Sequence, residues 1–227
     1  MIGSLGQPIL FLVSLGFGLG PVFQKAGQGN YLQFLAPGVI AMGVLFTSVF
    51  SGIEIIWDRQ FGFLKETLVA PVSRFEIMLG RTLGGATVAT IQGLIVFLIS
   101  LVAGFRPIHI WGVFTALIFM LLTAVFFTAL GTAIASRLED MQGFQLIVNF
   151  LIMPLFFLSG ALFPLDNLPP AIAFINRLDP LTYGVDGMRG AFIGVSHFGV
   201  STDLAVLVVL AGVVLAIGSY LFSTIQL

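Results

Sequence analysis

Cysteine is absent from the 227 residues, which excludes disulfides, thiolate metal sites and thiol catalysis. Charge is scarce: Asp, Glu, Lys and Arg make up 8% of the chain, against about a quarter in an ordinary soluble domain. With 58% hydrophobic residues and a mean hydropathy of +1.12, a soluble globular fold is excluded and the chain reads as a polytopic membrane protein. Two His and a formal net charge of −1 offer neither a metal cluster nor the basic face that nucleic acid requires. No Gly-x-x-x-x-Gly-Lys-Ser/Thr loop occurs, so the chain has no phosphate cradle of its own for ATP. Asn-x-Ser/Thr sequons are missing, so glycosylation marks no face. The apolar segments lack paired carboxylates, His clusters and Ser/His/Asp sets, which argues against an intramembrane enzyme.

What is present is apolar sequence in long blocks. Six of them, at about residues 8–23, 34–57, 84–103, 110–135, 143–163 and 204–222, predict six transmembrane helices in an all-α polytopic membrane protein. The first block is short and has neither a basic n-region nor a clear cleavage site, so it reads as a span whose start is cut short and not as a signal peptide. Within it, Gly16 and Gly20 form a Gly-x-x-x-Gly that favours close helix approach. Glu54 sits near one end of the second block, where it reaches the interface beside Trp57. In the fifth block Pro154 removes a backbone hydrogen bond and predicts a kink. Asn149 lies one turn earlier; as a buried amide it needs a partner in another helix, in the freed backbone, or in a substrate within a cavity.

Between the second and third blocks, residues 58–81 form the one long polar run and hold Arg59, Lys65, Arg74 and Arg81, four of the nine Lys/Arg. That charge places the run outside the hydrocarbon, and its basic bias points to the cytoplasm. Phe61, Leu64 and Leu68 recur at spacings of three and four with Arg59, Lys65 and Glu66 between them, the pattern of a short amphipathic helix on the membrane surface, ended by Pro71. Ser73 and Glu76 have the spacing of a capping box. A helix from there to about Ala103 spans roughly 45 Å, more than the roughly 30 Å hydrocarbon core, and begins outside it. Arg137, Glu139 and Asp140 form a second, shorter connector on the same side; the two acids are adjacent and unpartnered, which suits a solvated loop and not a catalytic dyad.

Residues 164–203 form the long outer loop, too apolar to be solvated and too broken to span. Leu168, Pro169 and Pro170 open a short helix, Asp179-Pro180 closes it, and Tyr183–Phe192 reads as another, so both are expected to dip into the outer leaflet as re-entrant helices. Six spans place both termini in the cytoplasm of a cell whose plasma membrane holds the protein, with Arg59, Lys65, Arg74, Arg81 and Arg137 inside and Lys25, Arg106, Arg177 and Arg189 outside.

Two stretches carry a resemblance. Phe61–Arg74, FGFLKETLVAPVSR, is similar to the Gly-Thr-Leu-Glu, Thr-Pro-Val-Ser-Arg pattern of the membrane subunits of type-2 ABC exporters. Pro154–Arg189, with its proline-bearing span, Phe-Pro, Leu-Pro and Pro-Leu-Thr-Tyr ending in Arg, resembles the same family's second signature. The family includes antibiotic-resistance permeases and polysaccharide exporters, and the resemblance runs over nearly everything after the first span. Asp179 stands where the family usually has Asn, and the interfacial helix that members commonly carry before the first span has no counterpart here.

The resemblance implies an exporter subunit powered by a separate ATPase polypeptide that binds the ATP, with a second membrane protomer, identical or a sister. No cofactor is expected in this chain. It implies that the connector helix is the coupling helix, with Phe61, Phe63, Leu64 and Leu68 contacting the ATPase and Lys65, Glu66 and Arg74 forming polar pairs with it. It implies a path lined by the second and fifth spans, which singles out Phe46, Asn149, Phe150 and Met153. The alternative is an ion-coupled carrier or channel, which normally carries midplane acids and internal repeats that this sequence lacks. A drug, a lipid and a lipid-linked glycan all suit the aromatic-rich spans.

Overall fold

The computed structural model describes residues 2–25, 29–63, 71–165 and 168–223, and all regular structure among them is helical. The chain opens with α1 (Ile2–Gly18) and the short α2 (Gly20–Lys25). Asn30 then caps the next helix, its Oδ1 accepting the Leu32 N–H at 3.0 Å. That helix runs as α3 (Tyr31–Phe50), bends at Ser51 and Gly52, and continues as α4 (Ile53–Gln60).

The long α5 (Arg74–Val102) starts at the capping box: the Glu76 N–H donates to Ser73 Oγ at 3.2 Å and the Ser73 N–H donates to Glu76 Oε2 at 2.7 Å. Next come α6 (Ile110–Ser136) and α7 (Met141–Ile147), the latter capped by Asp140, whose Oδ1 accepts the Gly143 N–H at 2.6 Å. The fifth span does not simply kink at Pro154. A turn of π-helix, Val148–Ile152, intervenes before α8 (Met153–Leu158), widening the ladder where the proline ring has no N–H to donate and crowds the preceding turn. The outer hairpin is α9 (Pro170–Leu178) and α10 (Pro180–Ile193), the second ending at Gly194 with φ 70°, and α11 (Val200–Ser223) is the last helix.

Among the described residues, five continuous runs are long and apolar enough to cross a membrane: Tyr31–Gln60, Arg74–Val102, Ile110–Ser136, Met141–Leu158 and Val200–Phe222. Against the six spans expected, the first block is apolar but shorter, Leu5–Gly18, because the helix breaks at Leu19. Helix α6 is the hub, packed against α3, α5, α10 and α11. Lipid tails are as apolar as Leu, so this association rests on close packing and hydrogen bonds, and small residues enable it. A Cβ built on Gly52 would lie 2.5 Å from the carbonyl oxygen of Gly131, and one on Gly131 would lie 2.5 Å from that of Val49, so the second span and α6 touch backbone to backbone.

Side chains fasten the hairpin over one end of the bundle. Arg189 donates to the Gly160 carbonyl at 3.0 Å and lies 3.8 Å from the Phe34 ring centroid. Asp186 accepts from the backbone N–H groups of His197 and Phe198, each at 2.8 Å, which turns the chain toward α11. Asp179 caps α10, its Oδ1 accepting the Leu181 N–H at 2.9 Å.

Candidate functional site

At the end of the bundle opposite the hairpin, the two polar connectors meet. Arg59, on the last turn of α4, forks across the carbonyls that end α6: Nη1 donates to Leu138 O at 2.8 Å and Nη2 to Ser136 O at 2.9 Å. The Ser136 carbonyl carries the negative end of the α6 dipole and the Leu138 carbonyl lies just past the helix; the guanidinium satisfies both. Gln60 Nε2 donates to Glu139 O at 3.3 Å. Asp58 pairs with Arg81 on α5, so the start of the first connector is joined to the third span as well as to the second connector.

Beyond this junction the first connector turns outward. Phe61 and Phe63 are 71% and 56% exposed. Leu64, Lys65, Glu66 and Leu68 lie outside the described residues. Arg74 is half-buried at the start of α5, and its buried Nη1 has no hydrogen-bond partner among the described residues.

The second and fifth spans are neighbours along a seam of phenylalanines. Phe46 lies 6.1 Å, ring centre to ring centre, from Phe156 and 6.4 Å from Phe50, which lies 6.4 Å from Phe144; Phe11 of α1 joins at 6.2 Å from Phe156. Of the residues the sequence singled out for a path, the structure places Phe46 in this seam, half-buried, and Met153 half-buried on α8. Asn149 and Phe150 point elsewhere. Both are exposed, Phe150 at 81%, on the face of the π-turn away from the bundle, and Asn149 makes no side-chain hydrogen bond among the described residues. The wide turn carries the Asn149 amide to the surface of the protomer, so of the partners its position offered, neither another helix nor the freed backbone holds it among the described residues.

Sequence reasoning missed Arg59 as a cross-link. Its acceptors are backbone carbonyls 77 and 79 residues away, which no local spacing encodes. Among the described residues, no group of three or more His, Asp and Glu is placed to hold a metal ion.

The model of the ABC-2 type transporter family matches residues 1–193. The inner membrane transport permease YadH of Escherichia coli (strain K12) is 32% identical over 201 residues, covering 88% of this chain and 78% of that protein. Putative transport permease ycf38 of Cyanophora paradoxa is 31% identical over 196 residues, covering 83% of this chain and 66% of that protein, just under two thirds of its length. Nodulation protein J of Rhizobium leguminosarum bv. viciae is 28% identical over 196 residues, covering 86% of this chain and 75% of that protein. With apolar helices of membrane-crossing length and a family match over most of its residues, the chain belongs to the ABC-2 type transporter family and is a transmembrane transport permease.

Proposed function

We propose that the chain is the transmembrane subunit of an ATP-driven exporter, forming its path with a second protomer and driven by a separate ATPase subunit docked on the connector of residues 58–81. The observation that carries this reading is the exposed apolar pair Phe61 and Phe63 immediately beyond a junction that ties the connector to the third span, to the end of the fourth and to the second connector. Exposed phenylalanines flanked by basic residues suit a groove on a protein partner at the membrane surface, and the family membership supplies the class of that partner. The basic bias of the first connector puts this end in the cytosol, with both termini.

The fifth span supports the second protomer. Leu146, Asn149, Phe150, Leu151 and Phe157 are exposed along it. An uncovered amide in hydrocarbon is costly, so a protomer carrying the same face, or a path between the two, is its proper neighbour.

Affinity capture of the tagged chain from its native host in mild detergent tests the reading. An ATP-binding polypeptide is expected to co-purify and to be lost when Phe61 and Phe63 are replaced by Ser or when Lys65 and Glu66 are reversed in charge. Capture without any ATPase, from membranes whose transport runs on an ion gradient, would replace this reading with an ion-coupled carrier.

A further inference from the structure

The bundle's connector end is held together by a device that neither family membership nor the docking of an ATPase requires. Near the connectors, two attachments hold the second span to α6, which it packs along. One is the backbone contact of Gly52 on Gly131, where any side chain would collide with main-chain atoms. The other is Arg59, seven positions further along, about 10 Å at the helical rise, where the fork engages Ser136 O and Leu138 O. Two attachments at that separation fix direction as well as distance, so α4 cannot swing on α6 about the glycine contact alone. Charge-assisted bonds to carbonyls are about twice as strong as neutral ones, and Arg59 is partly withdrawn from water. The partners are main-chain atoms of the last residue of α6 and of the second connector, so the bonds clamp the backbone itself and not a side chain that can rotate away. Gln60 adds a weaker third bond to Glu139 O.

We infer that Arg59 is a positioning residue that clamps the two connectors into one rigid body, so that a push on the first connector is delivered to α6 and to the start of the fifth span together with α4 and α5. The transmission role rests on the exporter reading above; the clamp itself does not. Asp140, which caps the fifth span at α7, follows Leu138 by two residues. The route therefore runs from the docking connector through Arg59 to the span that carries Asn149 and the π-turn.

The absence of cysteine makes a direct test available, because engineered thiols have no native competitors. Gln60→Cys with Glu139→Cys places one thiol on each connector, and the probe is a short bismaleimide applied to membranes, either nucleotide-free or trapped with ATP and vanadate. With Arg59 intact, a high cross-linking yield is expected that is the same in both states. Arg59→Gln is expected to lower the yield several-fold and to make it nucleotide-dependent, and Arg59→Lys, which can bond one carbonyl but not fork across two, to recover part of it.

Equal yields with Arg59 and with Gln at that position would overturn the clamp, as would a yield with intact Arg59 that changes with nucleotide as strongly as the variant's. If Arg59→Gln does not accumulate in the membrane, Arg59→Lys carries the test and must lie below the parent. A yield that falls in Arg59→Gln yet ignores nucleotide separates the two ideas. With an ATPase co-purified, that result ends the transmission role; with none co-purified, it ends the exporter reading and leaves the clamp standing.

Discussion

Asp179 sits at the joint of the outer hairpin, 1% exposed, with one carboxylate oxygen capping α10. Burial pushes its carboxyl up to about 7, against the pull of the Leu181 N–H. Its folded value lies above the unfolded one, so its contribution to stability is present below about pH 4 and is lost as pH rises through about 7. Thermal unfolding of the purified protein is expected to fall between pH 5 and pH 8, and Asp179→Asn, which keeps the capping oxygen and removes the titration, is expected to flatten that slope. An unchanged slope in the variant would assign the pH dependence elsewhere. At this scale the sequence was legible wherever the physics is local. Ser73-x-x-Glu76 forms the capping box its spacing describes, because donor and acceptor lie within three residues. Asp179-Pro180 closes α9 as its residues suggest, while the cap that Asp179 gives α10, which starts at Pro180 and not at Tyr183, is seen only in the structure. Arg59 was read as one more basic residue of a solvated connector, since its acceptors are brought to it only by the packing of α4 on α6.

Between elements, glycine decides how closely helices approach. The Gly16-x-x-x-Gly20 pattern is the visible motif, yet no neighbour lies within 4 Å of a Cβ placed on Gly20, and Gly16 meets only the side chains of Leu32 and Leu35. The break at Leu19 puts the two glycines on different helices, so the pattern has no single face to offer. Close crossings occur instead at isolated glycines, as where Gly52 meets Gly131 and where a Cβ on Gly112 of α6 would lie 2.0 Å from the Ala191 carbonyl oxygen of α10, pairs from helices far apart in sequence. Gly52→Leu is expected to force α4 away from α6 and to destabilise the protein by about 1–3 kcal/mol, the usual cost of overpacking, read as a lowered unfolding temperature in detergent. Gly20→Leu is the comparison and is expected to leave that temperature unchanged. A Gly52→Leu protein as stable as the parent would show that the crossing is not tight in the membrane.

For the molecule as a whole, the open question is what covers the fifth span. Its π-turn presents Asn149 and Phe150 outward, while Phe46, Phe144 and Phe156 close the seam on the inner side. If that outer face lines a path or meets a second protomer, Asn149→Leu and Phe150→Ala have distinguishable effects. Altered substrate preference with an unchanged oligomer by light scattering assigns them to the path. A shift from dimer to monomer assigns them to packing between protomers. Full activity with an unchanged oligomer would remove both residues from the site.

Composition alone decided that the chain lives in a bilayer, since 8% charged residues cannot solvate a fold of this size, and the local spacing of prolines, caps and basic residues marked the connector and the outer hairpin. These are properties of single segments and their solvent. Which faces of those segments meet required the tertiary structure. In spans apolar on every side, periodicity does not separate lipid-facing from buried positions, as Asn149 illustrates. The Arg59 clamp and the Gly52–Gly131 crossing exist only once distant backbones are packed together, because each depends on main-chain atoms that every sequence shares.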